Sequence, residues 1–223
     1  MAINYSPKIV TNGLVLCLDA ANPKSYPGNG TVWKDLSGNE RHATLFNNPT
    51  FDNNGVGSFI FDGLDDWART ENNGIGTGAS IPHSMEMWVN FNVITGTRWW
   101  LAVLGQYGQG AHHWIGTSAT GTGFGAWSAS CQRNPNLLGI NQWIHITQTF
   151  DGTVLKDYVN GVNGSSCVAT GFNFTNSNFT IGLRLGSEAY FNGKVSSAKI
   201  YNRALSLQEI QQNFNAVRGR YGI

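Results

Sequence analysis

The sequence predicts an all-β domain, a two-sheet antiparallel sandwich closed by one short C-terminal helix. Three observations carry this prediction: many short alternating runs separated by turn residues, two hairpin turns close together, and one helix-capping pattern near the end. Asp-Gly and Asn-Gly pairs between alternating runs are strong hairpin signals, because these residues tolerate the positive φ of tight turns. Asp151-Gly152 and Asn160-Gly161 therefore predict an antiparallel meander.

The predicted strands follow one another at short intervals, which is typical of a sandwich. No linker, charge run or internal repeat interrupts them, so a single domain over residues 1–223 is predicted. The strands are Gly13–Leu18, Ala43–Phe46, Ser58–Phe61, Trp67–Thr70, Ser84–Phe91, Trp99–Gly105, His113–Gly116, Gly123–Trp127, Trp143–Phe150, Leu155–Val159, Asn178–Leu185 and Gly193–Tyr201.

Two of these strands show which face is buried. Because successive strand residues point to opposite faces, one side of the strand Ser84–Phe91 is apolar and is assigned to the core. That side holds Met85, Met87, Val89 and Phe91, and the outward side holds Glu86, Trp88 and Asn90. In the later strand, Phe179, Ile181, Leu183 and Leu185 are expected inside, with Thr180, Gly182 and Arg184 on a wet face.

The C-terminal helix is predicted from a capping box. The hydroxyl of Ser206 and the carboxylate of Glu209 can satisfy the first free N–H groups of a helix. Leu207, Ile210 and Phe214 follow at helical spacing and should dock on the sandwich. The tail after Gly219 is expected to fray or to pack against a neighbouring subunit.

Composition narrows the classes of partner. Hydrophobic residues make up 41% of the chain, whereas charged residues make up 12%, about half the usual share. A net charge of +1 does not supply the excess of basic residues that nucleic-acid binding requires. No apolar run is long enough to cross a membrane. Such a polar, weakly charged surface suits neutral glycans or other subunits.

The cysteines and the N-terminus bear on location. Cys17, Cys131 and Cys167 lack metal-ligand spacing; Cys17 is expected to be buried. Because the sequence from Met1 has no secretory signal pattern, free thiols are favoured over a Cys131–Cys167 disulfide.

Motifs in a fixed order suggest a family. They are Gly13–Asp19, Trp33–Asn39, Phe61–Asp66, the hairpin segment, and Ala198–Ser206 with Glu209-Ile210. Together they resemble the laminin-G-like branch of the concanavalin-A-type jelly rolls, which implies a jelly-roll sandwich used mainly for binding and scaffolding. The segments Asp19–Pro27 and Gln211–Gly222 further resemble versions found in structural proteins of tailed, notably marine, bacteriophages.

This resemblance implies a non-enzymatic protein on the virion surface, decorating the capsid or associated with a fibre. Its partners would be other virion proteins, in an oligomer, and host surface glycans. A free-standing lectin-like module is the alternative. A glycoside hydrolase is a second one, disfavoured because no two glutamates lie on one predicted strand, although Glu86 could pair with an Asp from another strand.

Candidate glycan-binding residues come from exposed aromatic and amide side chains, because flat rings stack on sugars while amides and imidazoles bind hydroxyls. Adjacent Trp99 and Trp100 cannot both point inward on a regular strand. The alternative, favoured for the aromatic cluster as a whole, is core packing. The candidates are Trp88, Asn90, Trp99, Trp100, Gln106, Tyr107, His113 and Trp114.

One acidic cluster is a candidate metal site. Asp62, Asp65 and Asp66 could bind Ca²⁺ through carboxylate oxygens, as laminin-G and pentraxin relatives do at loop rims. An Asx-turn, in which the carboxylates accept nearby backbone N–H groups, is favoured instead. No cofactor is expected to be required. Adjacent His112 and His113 point to opposite faces of a strand, so they cannot chelate one ion.

Overall fold

The computed structural model describes residues 7–94, 99–105, 112–118, 121–126, 129–133, 139–169, 173–174, 177–183 and 190–223. For residues 99–100, 112–114, 116–118, 121–126 and 129–133 the description is of the backbone alone. Among the described helices, none is long and apolar enough to cross a membrane.

Antiparallel strands dominate the chain. They are β1 (Leu14–Asp19), β2 (Val32–Trp33), β3 (Ala43–Phe46), β4 (Thr50–Asp52), β5 (Ser58–Asp62), β6 (Trp67–Thr70), β7 (Gly78–Ala79), β8 (His83–Phe91), β9 (Trp99–Gly105), β10 (His112–Ser118), β11 (Gly121–Ala126), β12 (Ala129–Arg133), β13 (Trp143–Phe150), β14 (Val154–Val159), β15 (Val162–Val168), β16 (Asn173–Phe174), β17 (Phe179–Ile181) and β18 (Asn192–Tyr201). The helix α1 (Leu207–Val217) and a 3₁₀ helix (Arg218–Tyr221) end the chain.

The strands form two large sheets. Sheet A has the order β15-β14-β13-β8-β18-β5-β4, with β1 also paired to β18. Sheet B has the order β12-β11-β10-β9-β17-β6-β3-β2, and β16 and β7 form a small separate pair. All pairings between these strands are antiparallel, which confirms the predicted jelly-roll sandwich.

The core lies between the two sheets. The predicted inner face of β8 is confirmed, since Met85, Met87, Val89 and Phe91 are all buried in it. Sheet B contributes Leu45, Ala68, Ala102, Leu104, Phe179 and Ile181 to the same cluster. Thr180 was expected to face water, yet it is buried as well.

The meander and the helix follow the sequence signals closely. Asn160 and Gly161 both have positive φ, at 51° and 74°, as a hairpin turn between β14 and β15 requires. Ser206 and Glu209 form the complete capping box of α1. The tail does not fray, because Tyr221 is buried against the chain's own sheet A.

The exposed edge of sheet A at β1 is closed by a loop. Asp35 accepts hydrogen bonds from the backbone N–H groups of Cys17 and Ser37, both at 2.8 Å. Leu36 N–H donates to the carbonyl of Cys17 at 2.7 Å. The carbonyl of Val15 accepts from Arg41 Nη1 at 3.0 Å. The Trp33–Asn39 motif therefore caps an edge strand, a structural role.

One cysteine expectation is wrong. Cys17 is free and buried as predicted, but Cys167 is disulfide-bonded. The side chain of Cys131 lies outside the described part of the chain. The preference for free thiols came from the missing signal pattern, which does not determine where the chain is finally oxidised.

Candidate functional site

The two sheets differ in what lies on their outer faces. On sheet A, antiparallel pairing places Trp88 beside His145 and Glu86 beside Lys199 on the outer side. Helix α1 and the 3₁₀ helix cover this side. Trp88 stacks on Tyr221 with ring centroids 3.8 Å apart, and on Phe214 at 5.8 Å.

Trp88 therefore cannot serve as a sugar platform. It was predicted to face outward, and it does lie on the outer side of β8, but its side chain is 0% exposed. The alternation of a strand indicates which face a residue occupies and not what packs on that face. Asn90 lies at the end of the same strand and is partly exposed.

Glu86 is sealed in a polar network under α1. Its carboxylate accepts hydrogen bonds from Lys199 Nζ at 2.8 Å and from Asn213 Nδ2 at 2.7 Å. The Nε2 atom of His145 lies 3.2 Å from the same carboxylate. Burial alone would raise the pKa of Glu86, but Lys199 and His145 outweigh burial and lower it. A buried, fully engaged carboxylate is not placed to protonate a substrate.

Four other predicted glycan residues belong to sheet B and not to the sheet that holds Trp88 and Asn90. Trp99 and Trp100 lie in β9, paired with Thr117 and Gly116. His113 and Trp114 lie in β10, and for all four only the backbone is described. Gln106 and Tyr107 lie outside the described residues. Their glycan contacts stay predictions.

The outer face of sheet B carries an aromatic pair that the sequence analysis missed. Phe46 in β3 and Trp67 in β6 are directly opposite one another, and their rings stack with centroids 3.8 Å apart and planes 6° from parallel. Both residues are partly exposed. Their neighbours in sequence, Leu45 and Ala68, point into the core. The pair therefore stands on the side of the sheet away from the core.

Arg69 completes this surface. Its Cζ atom lies 5.4 Å from the ring centroid of Trp67 and 5.9 Å from that of Phe46. Its Nε and Nη2 atoms donate to one carboxylate oxygen of Glu71, at 2.8 and 2.5 Å. Thr44 and Val32 lie next to the pair on the same face and are exposed. We call Val32, Thr44, Phe46, Trp67, Arg69 and Glu71 the open face.

The open face is bounded on one side. Thr180 pairs with Arg69 and with Val103 on the same side of the sheet. Both Thr180 and Val103 are buried. Among the side chains described on this face, the accessible ones therefore lie at the β2, β3 and β6 end. The alternation rule applied to β8 would have found it, since Trp67 and Arg69 flank the small inward Ala68.

The acidic loop lies at the start of β6, next to the open face. Carboxylate oxygens of Asp62, Asp65 and Asp66 lie within 4.8 Å of one another. Asp62 Oδ1 accepts the backbone N–H groups of Leu64 at 2.8 Å and Asp65 at 3.4 Å. Asp66 Oδ2 accepts the N–H of Asp62 at 3.2 Å. The favoured Asx-turn is thus confirmed.

Calcium binding by this loop stays a prediction. Ca²⁺ takes six to eight oxygens in proteins, and two of the carboxylate oxygens already accept backbone N–H groups. The remaining oxygens of Asp62, Asp65 and Asp66 fit part of such a shell, with water needed for the rest. Burial raises the pKa of Asp66 to about 6, and the neighbouring charges of Asp62 and Asp65 add to this.

Solved structures share this architecture. The sialidase of Trypanosoma rangeli, solved with the inhibitor DANA, matches 95% of this chain at 16% identity and a TM-score of 0.70. Domain 4 of AbnA, a GH43 extracellular arabinanase from Geobacillus stearothermophilus solved with arabinotriose, matches 90% at 18% identity and a TM-score of 0.68. The binding domain of botulinum neurotoxin serotype D matches 92% at 13% identity and a TM-score of 0.69.

The extent of these matches differs. The chain spans 35% of the sialidase and 52% of the toxin domain, but 97% of the arabinanase domain. At such identities the likeness shows the fold alone. No curated protein matches the chain in sequence. The family model Laminin_G_3, described as the concanavalin A-like lectin/glucanases superfamily, matches residues 61–211. This match spans most of both sheets and the start of α1, and the chain therefore belongs to the concanavalin A-like lectin/glucanases superfamily.

Proposed function

We propose that this domain is a non-enzymatic carbohydrate-binding protein on the surface of a bacteriophage virion, and that the open face contacts the glycan. The observation that carries the binding role is the stacked, partly exposed Phe46–Trp67 pair beside Arg69. Aromatic rings offer apolar area to the C–H faces of sugars, while charged and hydroxyl groups nearby bind the sugar hydroxyls. Domain 4 of the arabinanase, of which the match covers 97%, was solved with arabinotriose, which agrees with this role.

Binding is favoured over hydrolysis by the state of Glu86. A glycosidase needs two carboxylates that flank the scissile bond. The glutamate that the sequence nominates for this role is buried beneath α1 and held by Lys199 and Asn213. The fold itself hosts both enzymes and binding domains, so it is the burial of Glu86, and not the family, that favours binding.

The placement on a virion rests on two supports. The first is the resemblance of Asp19–Pro27 and Gln211–Gly222 to bacteriophage structural proteins. The second is the disulfide of Cys167, because disulfides persist on virion and cell surfaces and are rare in reducing compartments. In this setting the domain would decorate a capsid or a fibre, in an oligomer with other virion proteins, and would contact host glycans.

The binding role is tested with a glycan array followed by titration calorimetry on the purified domain. We expect Trp67→Ala to weaken binding about 30-fold, since truncating a hot-spot aromatic costs about 2 kcal/mol. Trp143→Ala is the matched control, because Trp143 is a partly exposed Trp on sheet A. Equal binding by the two variants, or no bound glycan at millimolar concentration, would contradict the proposal.

The virion role has its own test. Mass spectrometry of purified particles should detect the chain at a stoichiometry fixed by particle symmetry, and antibodies against the domain should label intact particles. Absence of the chain from purified particles would contradict the virion role. The carbohydrate-binding role would still be decided by the glycan array.

A further inference from the structure

The positive charge on the open face is paired with a carboxylate. Arg69 is the one charged side chain that the described strands β2, β3, β6 and β17 contribute. Its guanidinium is already paired, because two of its nitrogen atoms donate to Glu71. The carboxylate of Glu71 is itself largely exposed, with 71% of the side chain accessible. A ligand therefore meets a neutral guanidinium–carboxylate pair and not a free cation.

Further negative charge lies beside the pair. Asp66 directly precedes Trp67, and Asp62 and Asp65 lie within the same loop, with carboxylate oxygens within 4.8 Å of those of Asp66. The loop is tied to the end of β3, since Asn47 Nδ2 donates to the carbonyl of Asp65 at 2.7 Å. Asn47 follows Phe46 directly. The aromatic pair is thus flanked by Glu71 at one end and by the acidic loop at the other.

From this arrangement we infer that the ligand of the open face is a neutral glycan, and that sialylated, uronate or sulfated glycans are rejected; this rests on the proposed function. A sugar hydroxyl both donates and accepts, so adjacent hydroxyls complement Arg69 and Glu71 without breaking their pairing. An anionic sugar would compete with Glu71 for Arg69 and would sit among carboxylates of the same charge. Like charges at contact distance oppose binding even in water.

The test compares matched glycans. Arrays and titrations use one neutral oligosaccharide core and the same core bearing sialic acid, a uronate or a sulfate, first in EDTA and then in millimolar calcium. We expect the wild-type protein to bind the neutral core at least tenfold more tightly than the acidic forms. Glu71→Gln should narrow this ratio about fivefold, the effect of one unit charge near contact in water. Asp52→Asn, which removes a carboxylate from sheet A, should leave the ratio unchanged.

The possible results separate the two claims. Three results would overturn the inference while keeping the carbohydrate-binding role. The first is tighter binding of an acidic form, and the second is equal binding of both forms that Glu71→Gln does not alter. The third is binding of an acidic form that appears only with calcium. Absence of binding to any glycan overturns the proposed function and the inference with it. A preference for the neutral core that depends on both Glu71 and Trp67 supports the inference.

Discussion

The outer faces of the two sheets carry similar residue types but differ in exposure. Each presents a tryptophan next to a basic residue and a glutamate: Trp88 with Lys199 and Glu86 on sheet A, and Trp67 with Arg69 and Glu71 on sheet B. On sheet A the C-terminal helices bury the set, and on sheet B the set stays partly exposed. Residue type alone does not identify a binding surface. The covering element decides whether an aromatic stabilises the fold or meets a ligand.

The largest expected loss of stability comes from a substitution on the covered face of sheet A. Trp88→Ala removes a fully buried ring that packs between sheet A and the C-terminal helices, so it should lower the free energy of unfolding by about 3–5 kcal/mol. Trp67→Ala should cost about 1 kcal/mol, the value of one aromatic pair. Urea unfolding followed by far-UV circular dichroism measures both. Equal losses would mean that the two faces are not different in kind.

The buried network on sheet A offers a second comparison. Glu86→Ala should lower the free energy of unfolding by about 3–5 kcal/mol, because it leaves the charge of Lys199 buried without a partner. The matched control is Asp52→Ala, which breaks the partly exposed Lys194–Asp52 pair and should cost less than about 1 kcal/mol. If Glu86→Ala behaves like the control, water reaches the network and the face is not sealed.

A smaller change tests how the tail is held. The hydroxyl of Tyr221 donates to Ser196 Oγ at 3.0 Å, while its ring stacks on Trp88. Tyr221→Phe keeps the ring and should cost about 1 kcal/mol, the usual worth of one hydrogen bond. Tyr221→Ala should cost more and should raise the accessibility of Trp88 to acrylamide quenching. Unchanged quenching in Tyr221→Ala would show that α1 covers Trp88 unaided.

The smallest expected effect is a pH dependence beside the open face. Burial raises the pKa of Asp66 from its ordinary value of 3.8 to about 6, so the folded protein holds a proton that the unfolded chain releases. This contribution to stability is present below about pH 4 and is lost as pH rises to about 6. Melting temperatures of the wild type and Asp66→Asn across this range should differ most at the upper end, where the variant gains.

Added calcium extends the measurement of melting temperature against pH to a test for a metal site. An ion held by Asp62, Asp65 and Asp66 would keep Asp66 ionised, so the pH dependence would disappear and the melting temperature would rise with calcium concentration. Because the Asx-turn already engages these carboxylates, we expect neither change in millimolar calcium. A calcium-dependent rise that Asp66→Asn removes would establish a metal site in the loop.

The elements with local signals were predictable from the sequence. The inner face of β8, the Asn160-Gly161 hairpin turn and the capping box at Ser206 are each determined by neighbouring residues, and each is confirmed. Strand β15 was absent from the predicted strands, because its residues 163–166 are Asn, Gly and two Ser and show no apolar alternation. The Asn160-Gly161 turn implied a strand here, and pairing with β14 forms it, but its own residues do not mark its bounds.

The candidate site was less predictable. Trp88 was assigned to the outer side of its strand, but its cover comes from Phe214 and Tyr221, more than 120 positions later in the chain. The stacking of Phe46 on Trp67 likewise depends on the pairing of β3 with β6. Each is a contact between residues far apart in the chain, and local sequence patterns do not show which distant residues meet. Alternation within Trp67–Thr70 was available as a signal and would have indicated the exposed face.

The Asp35 loop has a consequence for crowding. A strand edge is a template on which a second molecule can add, and the risk grows when many copies stand close together. Asp35 and Leu36 occupy the N–H and the carbonyl of Cys17 that an incoming strand would use. One carboxylate thus takes the place of a neighbouring strand. This edge therefore offers no free N–H or carbonyl at Cys17 on which a second copy could add, and loss of Asp35 would expose that template at high local concentration.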